Sequence, residues 1–186
     1  MIISIAGCIK MRAVDWYIKQ GQLSKDNSYK NLANKFLQKA RQNLITMSIL
    51  SELNDNKKAR ELLKTPKDYD SNEWVVITGY YAMYTAAISL LAKIGYRSKN
   101  HTATLCVLEE FFVKKKILDE DILMLLKSAL FHKEEIEKLS DARHKREIAQ
   151  YSITKQTTKD IAEKIKKDSY DFVNKCEDII TKQKIN

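Results

Sequence analysis

The stretch 74–94 is mostly apolar, and it carries no charged residue before Lys93. Small residues lie between its large ones: Gly79, Ala82, Ala86 and Ala87. A helix of this composition can bury nearly all its faces, and its small residues let neighbouring helices come close. Three of the nine tyrosines, Tyr80, Tyr81 and Tyr84, lie at its middle. Since a buried tyrosine hydroxyl needs a partner, the stretch predicts a central helix with polar contacts inside a bundle.

The rest of the chain indicates an all-α fold, an up-and-down bundle of four to five helices. There is one proline, Pro66, there are four glycines, and 31% of the residues are charged. Few helix breakers favour helices, and no strand pattern with a period of two is expected. Helices are predicted at about 11–20, 28–53, 57–64, 71–94, 101–116, 120–150 and 157–183. Their expected N-caps are Asn27 or Ser28, Asp70 or Ser71, and Asp119, and Gly95 is expected to end the central helix.

Cysteine and histidine usage predicts neither a metal site nor a cofactor. The three cysteines (Cys8, Cys106 and Cys176) and the three histidines show no metal-ligand spacing, so a reducing cytoplasm fits best. Cys106 is expected to be a core residue.

The N-terminal stretch 1–10 is too short for a membrane span and lacks the basic start of a signal peptide. Met11 is an alternative initiator. The central helix is not read as a membrane span either, because tyrosines crowd its middle. We expect 1–27 to be an extension with a short helix, and 28–183 to be the helical bundle.

A basic segment interrupts the apolar pattern of the helix predicted at 120–150. Its apolar stripe is expected to consist of Ile122, Leu125 or Leu126, Ala129, His132, Ile136, Leu139, Ala142 or Arg143, and Ala149. Arg146 continues this stripe. A buried guanidinium needs a carboxylate, phosphate or hydrogen-bonding partner. The alternative is that the helix leaves the core there, so that Arg146 is solvated.

Arg143, His144, Lys145 and Arg146 together form a basic turn near Tyr151. Such a turn attracts RNA phosphates, although a solvated basic face has the same composition. The formal net charge of +9 is compatible with an acidic partner such as RNA or a nucleotide.

A second basic segment, with Arg97 and Lys99, precedes His101. This histidine is expected to cap its helix, or to contact a phosphate at the helix N-terminus. His132 is expected to be a satisfied packing histidine. The sequence contains no glycine-rich phosphate loop, no Gly-x-Ser-x-Gly and no His-Glu-x-x-His motif.

The order of these features resembles the HEPN domain family. The resemblance rests on Tyr80-Tyr81-Ala82-Met83-Tyr84, on Lys99-Asn100-His101, on Glu110-Phe111-Phe112 and on Arg146-Glu-Ile-Ala-Gln-Tyr151. It covers about 28–183. It implies a bundle of four to five helices that dimerises through its motif helices. Many family members are metal-independent ribonucleases, often toxins, and others accompany a small nucleotidyltransferase in a two-gene, toxin–antitoxin-type system.

Ribonuclease members of this family resemble one another in an Arg-x(4–6)-His motif. Arg146 matches the arginine, but Tyr151 stands where the histidine is expected, and Gln150 replaces an aspartate of the subgroup motif. Tyrosine, with a pKa near 10, is a poor acid–base catalyst at neutral pH. The resemblance therefore predicts an RNA- or nucleotide-associated dimer with a degenerate motif. The alternatives are an active ribonuclease that uses Arg146 with Tyr151 or His101, and a structural or assembly protein.

Overall fold

The computed structural model describes residues 13–143 and 151–182, apart from the side chains of 138–143 and 151–158. Within this part the fold is all-α with one small sheet. The helices are α1 (Val14–Lys19), α2 (Ala33–Asp55), α3 (Lys57–Leu62), α4 (Asn72–Lys93), α5 (His101–Leu108), α6 (Glu120–Arg143) and α7 (Tyr151–Lys182). A 3-10 helix (Asn27–Leu32) precedes α2, and a π-helix (Glu109–Val113) extends α5. The all-α prediction is confirmed.

Helix α4 lies at the centre of the bundle, where it packs against α2, α6 and α7. At Gly79 it lies very close to α2 and α7. A Cβ atom at this position would lie 2.7 Å from Cγ2 of Ile165, 2.8 Å from Oγ of Ser169 and 3.0 Å from Sδ of Met47. The prediction that small residues let other helices approach is therefore confirmed, because no larger side chain fits at Gly79 without displacing α7.

Both ends of α4 have local causes. At its start Ser71, one of the two predicted caps, is the N-cap residue, but its side chain forms no cap hydrogen bond and donates instead to the Leu50 carbonyl oxygen of α2 at 2.6 Å. The other candidate, Asp70, accepts the Asn72 N–H through Oδ1 at 2.8 Å. The helix ends before Gly95, whose φ of +79° suits a residue without a side chain.

A two-stranded antiparallel sheet joins β1 (Leu23–Lys25) to β2 (Tyr96–Ser98), and this was missed in the sequence. Three-residue strands are too short to display a period of two. The segment around Gly95 is also bonded to the residue that precedes the 3-10 helix, because the Asp26 N–H donates to the Gly95 carbonyl oxygen at 2.8 Å. The 3-10 helix is capped by Asp26, which accepts the Ser28 N–H at 2.7 Å, so the prediction of Asn27 or Ser28 as the cap is wrong.

The N-terminal segment contributes to the same core as the bundle, since Tyr17 and Leu23 are buried in it. The same core includes Leu44 and Met47 of α2, and Phe172 of α7. Cys106 is buried there as predicted.

Helices α6 and α7 differ in detail from their predictions. Among the described side chains of α6, the buried positions are Leu123, Leu126, Ala129, Lys133 and Ile136. The predicted stripe is confirmed at Leu126, Ala129 and Ile136, but Leu123 and Lys133 are buried in place of Ile122 and His132. Helix α7 begins at Tyr151 rather than near 157.

By length and composition α4 could cross a membrane, but 67% of its most apolar window is buried inside the bundle. Burial among other helices explains its composition, as in the core helix of a soluble protein.

Candidate functional site

The Tyr80 hydroxyl of α4 forms a hydrogen bond with the His101 imidazole of α5. The oxygen lies 2.6 Å from Nδ1. Tyr80 is fully buried, and His101 is the first residue of its helix. The cap of that helix is Asn100, whose side chain accepts the Ala103 N–H at 2.8 Å. The expectation that His101 caps the helix is therefore wrong, because its ring turns inward to the tyrosine.

The other two motif tyrosines surround this pair. The Tyr84 ring stacks on Tyr80 with centroids 5.8 Å apart, and it meets the His101 ring edge-on at 4.6 Å. Its hydroxyl accepts a long hydrogen bond of 3.5 Å from the Thr104 hydroxyl. The Tyr81 ring lies 5.3 Å from Tyr80, but it remains 42% exposed. The tyrosines therefore differ in exposure, since Tyr80 is buried and Tyr81 partly faces solvent.

A lysine of α6 completes the group, and it was missed in the sequence. Lys133 is buried, and its Nζ lies 5.7 Å from the Tyr80 ring centroid and 6.0 Å from that of Tyr81. The same ammonium pairs with Glu137 at 2.7 Å. An ammonium over two aromatic faces gains cation–π attraction, which helps to offset its loss of hydration. The sequence feature that could have predicted the burial of Lys133 is its spacing from Leu126 and Ala129, which lie on the buried face of α6. We call Tyr80, Tyr81, Tyr84, His101 and Lys133 the tyrosine–histidine cluster.

The electrostatics of the cluster favour neutral rings. Burial, and secondly the Lys133 ammonium, lower the pKa of His101 below 6.5, while Glu134 and Glu137 oppose this. Burial, and secondly Tyr84, raise the pKa of the Tyr80 hydroxyl well above its ordinary value. At neutral pH the pair is therefore a protonated phenol bonded to an uncharged imidazole.

The cluster is closely packed rather than open. Leu105, Leu126 and Leu130 close around Tyr80 and His101, and no water-sized cavity remains between them. Any ligand must therefore meet the partly exposed members of the cluster, above all Tyr81, or the residues beside it.

The described residues include only some of the other predicted site residues. Arg97 is exposed on β2, and Lys99 follows that strand. Arg143 is the last residue of α6 and Tyr151 is the first of α7, but their side chains lie outside the described residues. His144, Lys145 and Arg146 lie wholly outside them. The tyrosine hydroxyls were expected to serve Arg146. For Tyr80, the described partner is His101 instead.

Two further polar groups are buried between α6 and α7. Among the described residues, Nδ1 of His132 and Oδ2 of Asp168 have no hydrogen-bond partner, and Nδ1 lies 3.6 Å from the Glu135 carboxylate. His132 is therefore not the satisfied packing histidine that was expected. Burial raises the pKa of Asp168, and Lys164 and His132 are among the groups that oppose this.

Within the described residues no three His, Cys, Asp or Glu side chains are placed to hold a metal ion.

The fold and the cluster define a small all-α domain built around a tyrosine-bearing central helix. A family model described as the HEPN domain matches 53–179. A UPF0332 protein from Archaeoglobus fulgidus is 34% identical over 107 residues, which cover 58% of this chain and 74% of that protein. No solved structure matches.

The chain belongs to the HEPN domain family, because the family model covers more than half of it. Domains of this family are generally associated with RNA or nucleotides.

Proposed function

We propose that this protein is a dimeric HEPN module that binds RNA or a nucleotide through a degenerate ribonuclease motif. The observation that carries this proposal is the segment Arg146-Glu-Ile-Ala-Gln-Tyr151 in a chain of this family. It keeps the arginine of the motif but has no histidine at the position where general acid–base chemistry would need one. Binding without efficient cleavage is the function that this segment supports best.

The proposed binding residues are Arg143, His144, Lys145, Arg146 and Tyr151. Their clustered positive charge suits phosphate groups, which are the one feature shared by RNA and nucleotides. Arg97 and Lys99 are proposed as further phosphate contacts. Neither a metal nor a cofactor is required, and the cytoplasm is the proposed location.

An uncharged exposed face on α4 supports the dimer. Trp74 is 55% exposed and Tyr81 42% exposed, and no charged residue occurs in 74–92. These two residues lie seven positions apart, so they share one helix face. Exposed aromatic residues are typical of protein interfaces, and the Lys133 ammonium beside the Tyr81 ring is paired with Glu137. A second copy of the chain is the proposed occupant, and a small nucleotidyltransferase is proposed as the further partner, in a toxin–antitoxin-type system.

Substitution of Arg146 tests the assignment of the site. We expect Arg146→Ala to weaken binding of oligouridylate RNA and of ATP at least tenfold, measured by fluorescence anisotropy. Lys64→Ala, at an exposed residue of the α3–α4 connection, is the matched control. If Arg146→Ala left both RNA or nucleotide affinity and dimerisation unchanged, the site would be wrongly assigned.

The dimer has its own test. Sedimentation velocity of Trp74→Glu and Tyr81→Glu variants should show monomers, because a charge would be buried at the contact. Ile45→Glu is the control, since Ile45 is 60% exposed on α2 and lies outside the proposed contact. A dimer that persists in both α4 variants would exclude this face.

An active metal-independent ribonuclease is the alternative, and His101 supports it. Its imidazole is neutral at pH 7 and oriented by Tyr80, as a general base must be. Labelled RNA incubated with the protein in EDTA decides between the two functions. Cleavage that is lost in His101→Ala or Tyr151→Phe would favour the enzyme. If the unsubstituted protein cleaved no more RNA than these variants but still bound RNA, the binding module would be favoured. A protein that binds neither RNA nor nucleotide would have the structural or assembly role.

A further inference from the structure

Two large apolar side chains are exposed on one face of α6. Met124 is 46% exposed and Phe131 is 52% exposed. They lie seven positions apart on one helix, so they share a face and are separated by about 10 Å along the axis. The buried Leu126 and Ala129, through which α6 packs into the bundle, lie on the other side of the helix. Two apolar anchors spaced by two helical turns are typical of a surface on which another helix docks.

The two anchors differ in mobility. The Phe131 ring meets the His132 ring edge-on, with centroids 5.5 Å apart and an angle of 69° between planes. This contact restricts the Phe131 ring before any partner binds, which lowers the entropy lost on docking. Met124 has a flexible thioether side chain, which adapts to the shape of a partner.

Negative charge surrounds these anchors. Among the described side chains of α6, in 120–137, no lysine is exposed, because Lys133 is buried and Lys127 is half-buried beside Glu109, at 3.9 Å. Seven residues in this range are exposed, and those other than Met124 and Phe131 are all acidic: Glu120, Asp121, Glu134, Glu135 and Glu137.

Three of these carboxylates lie on the same face as the anchors. Glu120 is one turn before Met124, while Glu134 and Glu135 are one turn after Phe131. The chain as a whole has a formal net charge of +9, so this acidic and apolar face differs from the rest of the molecule. We call it the α6 face.

We infer that the α6 face docks a basic amphipathic helix of a partner protein. Apolar side chains of that helix would cover Met124 and Phe131, and its lysines or arginines would pair with the surrounding carboxylates. Charge complementarity selects this occupant, because a basic segment is attracted to the face and an acidic one is repelled. RNA and anionic lipid are disfavoured, since their phosphates would be repelled as well. The inference requires neither RNA nor nucleotide binding by the chain.

A model peptide tests the docking. The probe is a fluorescein-labelled peptide of about 18 residues, long enough to form a helix, with leucine at helical spacing and lysine elsewhere. A peptide with glutamate in place of every lysine is the control for charge. We expect the protein to bind the lysine peptide, measured by fluorescence anisotropy, and to bind the glutamate peptide about tenfold more weakly or less.

Removal of the anchors should weaken binding of the lysine peptide. The anchor variant carries Met124→Gln and Phe131→Gln, and we expect an affinity about tenfold lower or less, as for central residues of an interface. The matched control carries Ile45→Gln and Ile49→Gln, which replace two apolar residues that are 60% and 58% exposed on α2. Its affinity for the peptide should equal that of the unsubstituted protein.

Removal of the carboxylates should act through charge. The charge variant carries Glu120→Gln, Glu134→Gln and Glu135→Gln, and it should bind the lysine peptide more weakly and with a shallower dependence on salt. Glu61→Gln, Asp68→Asn and Asp171→Asn together remove the same charge from exposed residues elsewhere and serve as the control.

The inference fails if the unsubstituted protein does not bind the lysine peptide, if it binds both peptides equally, or if the anchor variant binds as well as its α2 control. Sedimentation velocity of the anchor variant provides the last arm. Dissociation of a dimer in this variant, but not in the α2 control, would assign the α6 face to the contact between copies and overturn the inference. The proposed function is tested separately, by the effect of Arg146→Ala on RNA and ATP binding.

Discussion

The Tyr80 hydroxyl lies 2.6 Å from Nδ1 of His101, and this bond joins the central helix to the start of α5. It gives the buried phenol its partner, and it orients the His101 imidazole towards the bundle, while Asn100 caps the helix. The same pair is enclosed by Tyr84 and lies beside the Lys133 ammonium. The stability and the protonation of the cluster are therefore coupled, and both can be measured.

Loss of the Tyr80 hydroxyl should destabilise the fold. In Tyr80→Phe the imidazole of His101 loses its partner, and we expect the free energy of unfolding to fall by about 1–2 kcal/mol. Urea denaturation measures this change. Tyr81→Phe is the control, because that side chain is 42% exposed and should cost less than about 0.5 kcal/mol. Equal effects of the two variants would contradict the importance of the bond.

The protonation of His101 should respond in opposite directions to two neighbours. Lys133→Met removes a cation and should raise the pKa of His101, whereas Glu137→Gln removes an anion and should lower it. NMR titration of the imidazole signal, assigned with a His101→Asn variant, measures both. Shifts of the same sign would show that Lys133 does not act through its charge.

A lowered pKa of His101 also predicts the sign of a stability change with pH. The unfolded chain binds this proton more readily than the fold does. The contribution of His101 is therefore complete above its unfolded pKa of about 6.5, and it is lost as the pH falls towards the folded pKa. Melting temperatures between pH 7 and pH 5 should fall less in His101→Asn than in the unsubstituted protein. An identical fall in both would contradict this linkage.

Gly79→Ala should destabilise the bundle, although alanine is the better helix former by about 1 kcal/mol. The new methyl group would meet Ile165 at 2.7 Å and Ser169 at 2.8 Å, so α7 would have to shift. We expect a net loss of about 1–3 kcal/mol in denaturant unfolding. Thr85→Ala, on the outer face of the same helix, should change stability by less than about 0.5 kcal/mol. A stabilised Gly79→Ala protein would mean that the helices are less tightly packed.

Asp168→Asn should stabilise the protein at neutral pH. Burial raises the pKa of this carboxyl, so its charged form is unfavourable in the fold. The fold is favoured below the unfolded pKa of about 3.8, and that advantage is lost as the pH rises through the folded pKa. Melting temperatures at pH 7 should rise in Asp168→Asn but not in Asp171→Asn, where the residue is exposed. A lower melting temperature for Asp168→Asn would indicate that the charge has a favourable partner.

Local features of the sequence were enough to predict the helices, the central position of α4 and the family. These features are the helix periodicity, Asp70 at the start of α4 and Gly95 after its end. Each acts over a few residues, so it can be recognised in the sequence without knowledge of tertiary contacts. The same locality explains the errors. Asp26 rather than Asn27 or Ser28 caps the 3-10 helix, and three-residue strands leave no periodic signal.

The tyrosine–histidine cluster was only partly predictable. Tyr80, Tyr81, Tyr84 and His101 were candidates, but neither the bond from Tyr80 to His101 nor the role of Lys133 was foreseen. The apolar stripe of α6 was predicted correctly at Leu126, Ala129 and Ile136, but it included His132, where the neighbouring Lys133 is the buried residue.

The sequence by itself determined which segments are helical, which helix is buried and which family motif is incomplete. Only the tertiary structure decided that His101 turns towards Tyr80, and that Lys133 lies over two tyrosine rings. The physical reason is that helix formation depends on neighbours within one or two turns. The rotation of a helix about its axis is decided by packing against residues distant in the chain, and a rotation of one position changes which side chains meet.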